Sequence, residues 1–164
     1  MIIMLNGAFG VGKTSVAAAL HQRLPQSLIF DPELVGTLAR YLTEGIRTGS
    51  EDTDDFQDIA LWRSLSIIAA RELFNHYHRS LIVPMTIAHP EYFGTIRAGF
   101  ATIAPVTHFC LQAPLYTIGA RLQERGDDVS GWAWRKSQQY VPLLADARFA
   151  QHVETHNRTI TSMC

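Results

Sequence analysis

Residues 7–14 read Gly-Ala-Phe-Gly-Val-Gly-Lys-Thr, a spacing of glycines, one ammonium and one hydroxyl that suits a polyphosphate. Gly7, Gly10 and Gly12 permit torsions and a close backbone approach that a Cβ would block. The intervening Ala8, Phe9 and Val11 then contribute inward-pointing N–H groups to an anion nest, and a helix starting near Lys13 adds its positive end. Lys13 has the reach for β- and γ-phosphates, and Thr14 offers a hydroxyl to Mg²⁺. Each fixed position of G-x-x-x-x-G-K-[ST] is met. A chance glycine turn lacks the context found here, an apolar run over Ile2–Asn6 before the loop and the apolar positions Val16, Ala19, Leu20 and Leu24 after it. The chain carries no N-K-x-D guanine signature, so ATP with Mg²⁺ is the expected cofactor pair.

Other residues join this loop if strand ends gather at one sheet edge. Asp31 follows the second apolar run and should face the γ-phosphate, either holding a Mg²⁺-bound water or taking the acceptor's proton; Asp31-Pro32 also makes a good strand-ending turn. The run Leu81–Thr86 ends without the acid usual at the end of the strand beside a phosphate loop, and Thr86 and His89 stand where it would be sought. His89 also suits the start of a helix at Pro90. Arg121 and Arg125 are four apart and share a helix face; they suit a phosphate clamp or a solvated helix end. The Gly-Asp-Asp turn after them marks a lid over about 125–131. Phe56, Gln57, Trp62 and Arg63 offer apolar walls and polar anchors for an acceptor pocket, or the two faces of an amphipathic helix. Trp132 and Trp134 read first as packing and second as ligand contacts.

To place these groups the chain must alternate strands and helices. Strands are predicted at Ile2–Asn6, Ser27–Phe30, Ser80–Thr86, Val106–Leu111 and His152–Thr155. Helices are predicted at Lys13–Leu24, Glu33–Leu42, Asp54–His78 (one long helix), Pro90–Gly99, Pro114–Glu124 and Trp132–Ala145. The expected fold is a three-layer α/β phosphate-loop NTPase domain, a parallel five-stranded sheet with helices on both faces, spanning 1–164. Its 164 residues suit one domain. A net charge of -1 argues against general nucleic-acid binding. Lys13 and Lys136 are the only lysines, the other cations being Arg, a better fork for phosphate, although codon bias alone would produce the same usage. Cys110 and Cys164 form neither a disulfide framework nor zinc spacing, which points to a reducing, cytoplasmic location. No run is apolar enough to span a membrane; peripheral contact stays open.

The stretches Asn6–Thr14, Asp31-Pro-Glu33, Asp55-Phe-Gln57 with Leu61-Trp-Arg63, and Ile82-Val-Pro-Met-Thr-Ile-Ala-His-Pro-Glu-Tyr-Phe93 resemble the tunicamycin resistance ATP-binding proteins. The last run is the most particular of them. The resemblance implies a fold similar to nucleoside-monophosphate, shikimate and gluconate kinases, ATP binding, and protection against a uridine-containing nucleoside antibiotic. Whether such proteins phosphorylate the drug or only hold it stays open, and a small-metabolite kinase is a further reading. Related kinases continue past the last strand with a helix, whereas this sequence reaches Cys164 soon after Thr155-His-Asn157. The resemblance puts that loop, Asn157 included, near the adenine. A more open base site, or a partner chain covering it as in a homodimer, is expected.

Overall fold

A computed structural model describes residues 1–128 and 130–156. The first strand, β1 (Ile2–Gly7), is buried at every position, the signature of a strand covered on both faces. It runs parallel to β3 (Ser80–Met85), with Ile2 opposite Leu81, and to β4 (Val106–Gln112), with Ile2 opposite Val106. Short β2 (Ser27–Ile29) adds outside β3, and β5 (His152–Glu154) adds outside β4. The five-stranded order is β2-β3-β1-β4-β5. Pro84 sits in β3 opposite Leu5, beyond the point where β2 ends its pairing at Ile82, so its missing N–H breaks no ladder on that side.

Helix α1 (Lys13–Arg23) packs on β1, β2 and β3. Helix α2 (Pro32–Leu42) starts with proline in the first turn and Asp31 as its cap. Helices α3 (Ala60–Tyr77) and α4 (Pro90–Ala101) pack on each other and on β3 and β4 respectively. Helices α5 (Leu115–Glu124) and α6 (Trp132–Leu144) pair beside the phosphate loop. The core joins Ile2, Met4 and Leu5 of the central strand to Ile96 and Phe100 of α4 and Ile118 of α5.

One element departs from the sequence reading. The long helix expected over Asp54–His78 is two pieces, a 3₁₀ turn at Phe56–Asp58 and then α3. Asp55 caps the turn by accepting from the Gln57 N–H, and Ile59 is extended (φ -80, ψ 112), which interrupts helical torsion. Glu51 Oε1 then accepts from the Ala60 N–H at 2.7 Å. Periodicity carries through this break because the apolar positions on both sides face one core.

Candidate functional site

The phosphate loop leaves β1 through Gly7 and enters α1 through Gly12; Gly7, Gly10 and Gly12 have φ of 152, 76 and 105. A Cβ at Gly10 would lie 2.9 Å from the Leu122 side chain, so packing as well as torsion requires glycine there. Buried Asn6 fixes the loop's origin: its Oδ1 accepts from the N–H groups of Gly7 and Ile87, each at 2.9 Å, and its Nδ2 donates to the Ile87 carbonyl. Thr86 donates to the Gly7 carbonyl at 3.0 Å. From the other side, Arg121 Nη1 donates to the Val11 carbonyl and to Thr155 Oγ1, both at 3.0 Å, and its Nη2 donates to the Thr155 carbonyl at 2.8 Å.

Lys13 arches back over the loop and donates to the carbonyls of Gly7 and Ala8, each at 2.9 Å. Burial outweighs the attraction of Glu33 and lowers its ammonium from the ordinary 10.5 to about 8. Helix α1 begins at Lys13, so its positive N-terminal end lies at the same loop. The loop borders a cleft of about 790 Å³, lined also by Thr14, Ser15, Glu33, Arg121, Glu124, Arg125 and Trp132. Its volume falls in the range of ligand sites.

A smaller cavity of about 60 Å³ adjoins it. Phe9, Glu33 and Trp132 line both spaces; Pro32, Asp55, Phe56, Trp62, Met85 and Thr86 complete the smaller one. Phe56 lies so close to α2 that a Cβ at Gly36 would sit 2.5 Å from its ring. Trp62 is buried and donates Nε1–H to the Pro32 carbonyl at 2.8 Å. Glu33 thus stands in the wall between the two spaces. Desolvation, and next the Asp31 carboxylate, push its carboxyl above the usual range.

The AAA domain family matches residues 2–156. The tunicamycin resistance protein of Deinococcus radiodurans is 31% identical, with a TM-score of 0.77, over 98% of this chain and 89% of that one. The chain is an AAA-domain protein of the tunicamycin resistance family. A gluconokinase from Sinorhizobium meliloti (17% identity, TM-score 0.66, 98% and 85% covered) shares the fold. So does shikimate kinase from Acinetobacter baumannii, a structure with shikimate (16% identity, TM-score 0.60, 98% and 87% covered). No curated protein matches the sequence. This resistance-family chain therefore carries a nucleotide-binding P-loop on a kinase-like fold, and among its described residues no helix is long and apolar enough to cross a membrane.

Around that loop the predicted residues divide. Lys13, Thr14, Arg121 and Arg125 meet in the larger cleft, and Phe56, Trp62 and Thr86 meet in the smaller cavity. Asp31 spends one carboxylate oxygen on the Glu33 N–H at 2.9 Å, as the cap of α2. Arg121 is occupied by Val11 and Thr155, whereas Arg125 pairs with Asp127 at 2.6 Å beside Gly126 (φ 90). Gln57 corrects the expectation of a ligand anchor. It is 1% exposed; its amide nitrogen donates to Asp55 and Tyr140 and its oxygen accepts from the Ala88 N–H, each at 2.9 Å. The cause is the break before α3, which turns Gln57 inward. Arg63 lines neither space; it donates to the Gln57 carbonyl and stacks 4.0 Å from the Tyr92 ring centroid. His89 is exposed, 5.1 Å from the Tyr92 ring, and caps α4 without a side-chain bond. Asn157 lies outside the described residues. Sequence reasoning missed Glu33 as a site residue; the signal was its position two after Asp31, in the first turn of a helix that starts at the loop-bearing edge.

The residues present fit a magnesium nucleotide. The glycine cradle and Lys13 suit the phosphates, and hard oxygen donors (the Thr14 hydroxyl, with Asp31 and Glu33 at the β2 edge) suit Mg²⁺. Among the described residues no three His, Cys, Asp or Glu cluster as a metal site.

Proposed function

We propose that this protein is an ATP-dependent phosphotransferase that protects against tunicamycin by phosphorylating the nucleoside antibiotic. The observation that carries the reading is Glu33, a carboxyl of raised pKa in the wall shared by the P-loop cleft and the aromatic cavity. ATP occupies the larger cleft, its β- and γ-phosphates against the loop amides and Lys13. Bound Mg²⁺ would offset phosphate charge, with Thr14 as a protein ligand and Asp31 behind it. The hydroxyl-bearing end of the acceptor enters between Phe9, Phe56, Trp62 and Trp132, with Thr86 at its edge. Glu33 takes the hydroxyl proton, the acceptor oxygen bonds to the γ-phosphorus, the bond from that phosphorus to the β,γ-bridging oxygen breaks, and ADP leaves. A raised pKa makes Glu33 a stronger base than an ordinary carboxylate, moving this role from Asp31, whose carboxylate caps α2. Arg125 closes over the phosphates, and Arg121 holds the loop in register. The work belongs in the cytoplasm, where ATP is abundant.

A second reading is ATP-dependent sequestration of the drug without transfer. It is favoured by β3, which ends at Met85 and is followed by Thr86, with no acid beside the loop. Incubation with MgATP and tunicamycin, followed by ³¹P NMR and mass spectrometry, separates the two. A phosphorylated drug with stoichiometric ADP supports transfer. Tight ATP-dependent binding of unaltered drug supports sequestration and refutes transfer, and inertness toward tunicamycin with turnover of a small polyol would leave a metabolite kinase.

A further inference from the structure

Helix α6 touches both spaces at once. On the nucleotide side, buried Ser137 donates to the Phe9 carbonyl of the loop at 3.0 Å, and the Trp132 ring meets the Phe9 ring edge-on at 4.8 Å. Toward the acceptor cavity, Lys136 and Tyr140 lie four apart on one face. The Tyr140 hydroxyl donates to Asp55 Oδ2, and Lys136 Nζ lies 3.6 Å from the same oxygen and 2.8 Å from Asp54. Asp55 is 5% exposed and lines the cavity. Gln57 extends the contact, bonding Asp55, Tyr140 and the Ala88 N–H just past β3.

These contacts are made by one helix, α6, and reach from the Phe9 carbonyl of the loop to the cavity wall at Asp55. Such an element couples two sites when it has discrete positions that both ligands bias. We infer that Lys136 and Tyr140 are positioning residues: through Asp55 they make the acceptor cavity respond to nucleotide, with Ser137 and Trp132 reading the loop at Phe9. The inference rests on the proposed nucleotide occupancy of the cleft. A nucleotide seated on the loop shifts Phe9, α6 follows, and Asp55 is set for the acceptor. Binding of either ligand then strengthens the other.

The test uses MgADP and amide hydrogen exchange at Ala88, which contacts neither ligand space. In the wild-type protein, saturating MgADP slows Ala88 exchange at least fivefold. Tyr140→Phe keeps MgADP affinity within twofold but loses that ligand-dependent change. Lys136→Arg preserves the response and Lys136→Met does not. A purely structural role would raise Ala88 exchange equally with and without nucleotide, so an intact ligand-dependent difference in Tyr140→Phe overturns the proposal. An unresponsive Ala88 in wild type overturns it too. If calorimetry shows no MgADP binding, the functional reading itself fails and takes this inference with it, an outcome visible before any exchange is measured.

Discussion

Lys13 gives the most quantitative handle on the loop. Its ammonium sits at about 8 because burial outweighs the neighbouring carboxylates. A polyphosphate brings several negative charges to the same place and restores the charged form, so binding takes up a proton wherever Lys13 was neutral. With a free-protein value near 8, about nine-tenths of the groups are neutral at pH 9 and about one-tenth at pH 7. The affinity for MgADP, whose phosphates hold no proton in this range, therefore falls about tenfold from pH 7 to pH 9, or ~1.4 kcal/mol. Calorimetry in two buffers of different ionisation enthalpy should report uptake of about 0.9 proton at pH 9 and about 0.1 at pH 7. Lys13→Met should abolish the uptake with most of the affinity. Folding runs the other way: the unfolded chain, with its ordinary 10.5, holds more protons between about 8 and 10.5, so this group's effect on stability grows more favourable as pH rises through that window. Equal affinities at the two pH values, or identical heats in the two buffers, would refute the account of Lys13 as a buried cation awaiting phosphate.

Four further outcomes are expected. Glu33→Gln should lower phosphoryl transfer to tunicamycin at least 100-fold with KM for ATP within threefold; a smaller loss in steady-state assays would return the base to another residue. Gly10→Ala, which combines φ 76 with a Cβ 2.9 Å from Leu122, should cost ~1–3 kcal/mol in urea unfolding and weaken MgADP at least tenfold by calorimetry. Gln57→Leu leaves the buried Ala88 N–H without its acceptor and removes one of several donors to Asp55, and should cost ~1–3 kcal/mol in the same unfolding assay; a change under ~0.5 kcal/mol would return Gln57 to the ligand. Arg121→Ala removes three bonds that join Val11 to Thr155, and its melting temperature should fall by ~5 °C or more in scanning calorimetry.

The strands and the loop were legible because their signals are local. Buried parallel strands read as unbroken apolar runs, and glycines at 7, 10 and 12 are required by the torsions of the very residues they occupy. The contents of the acceptor side were only partly legible. Phe56 and Trp62 line the cavity, but Gln57 and Arg63, one residue along from each, turn elsewhere. What decides between neighbours is the break at Ile59, set by Asp55 and by Glu51 from an adjoining loop. Glu33 looked like an ordinary first-turn helix acid, since helix starts favour carboxylates for electrostatic reasons of their own. Its position between two spaces follows from how α2 leaves the sheet edge, which no spacing records. The partners of Lys136 and Tyr140 come from residues about 80 positions earlier, beyond the reach of any periodic pattern.

The hydrogen atom that serves as the side chain of residue 36 has a role out of proportion to its size. The Phe56 ring occupies the volume that any larger group there would need, so a single added methyl forces the ring or α2 to move. Residue 36 lines neither space, yet it sets how far the ring that walls the smaller cavity can retreat. A Gly-to-Ala change at this point would press on one wall of the cavity from outside it.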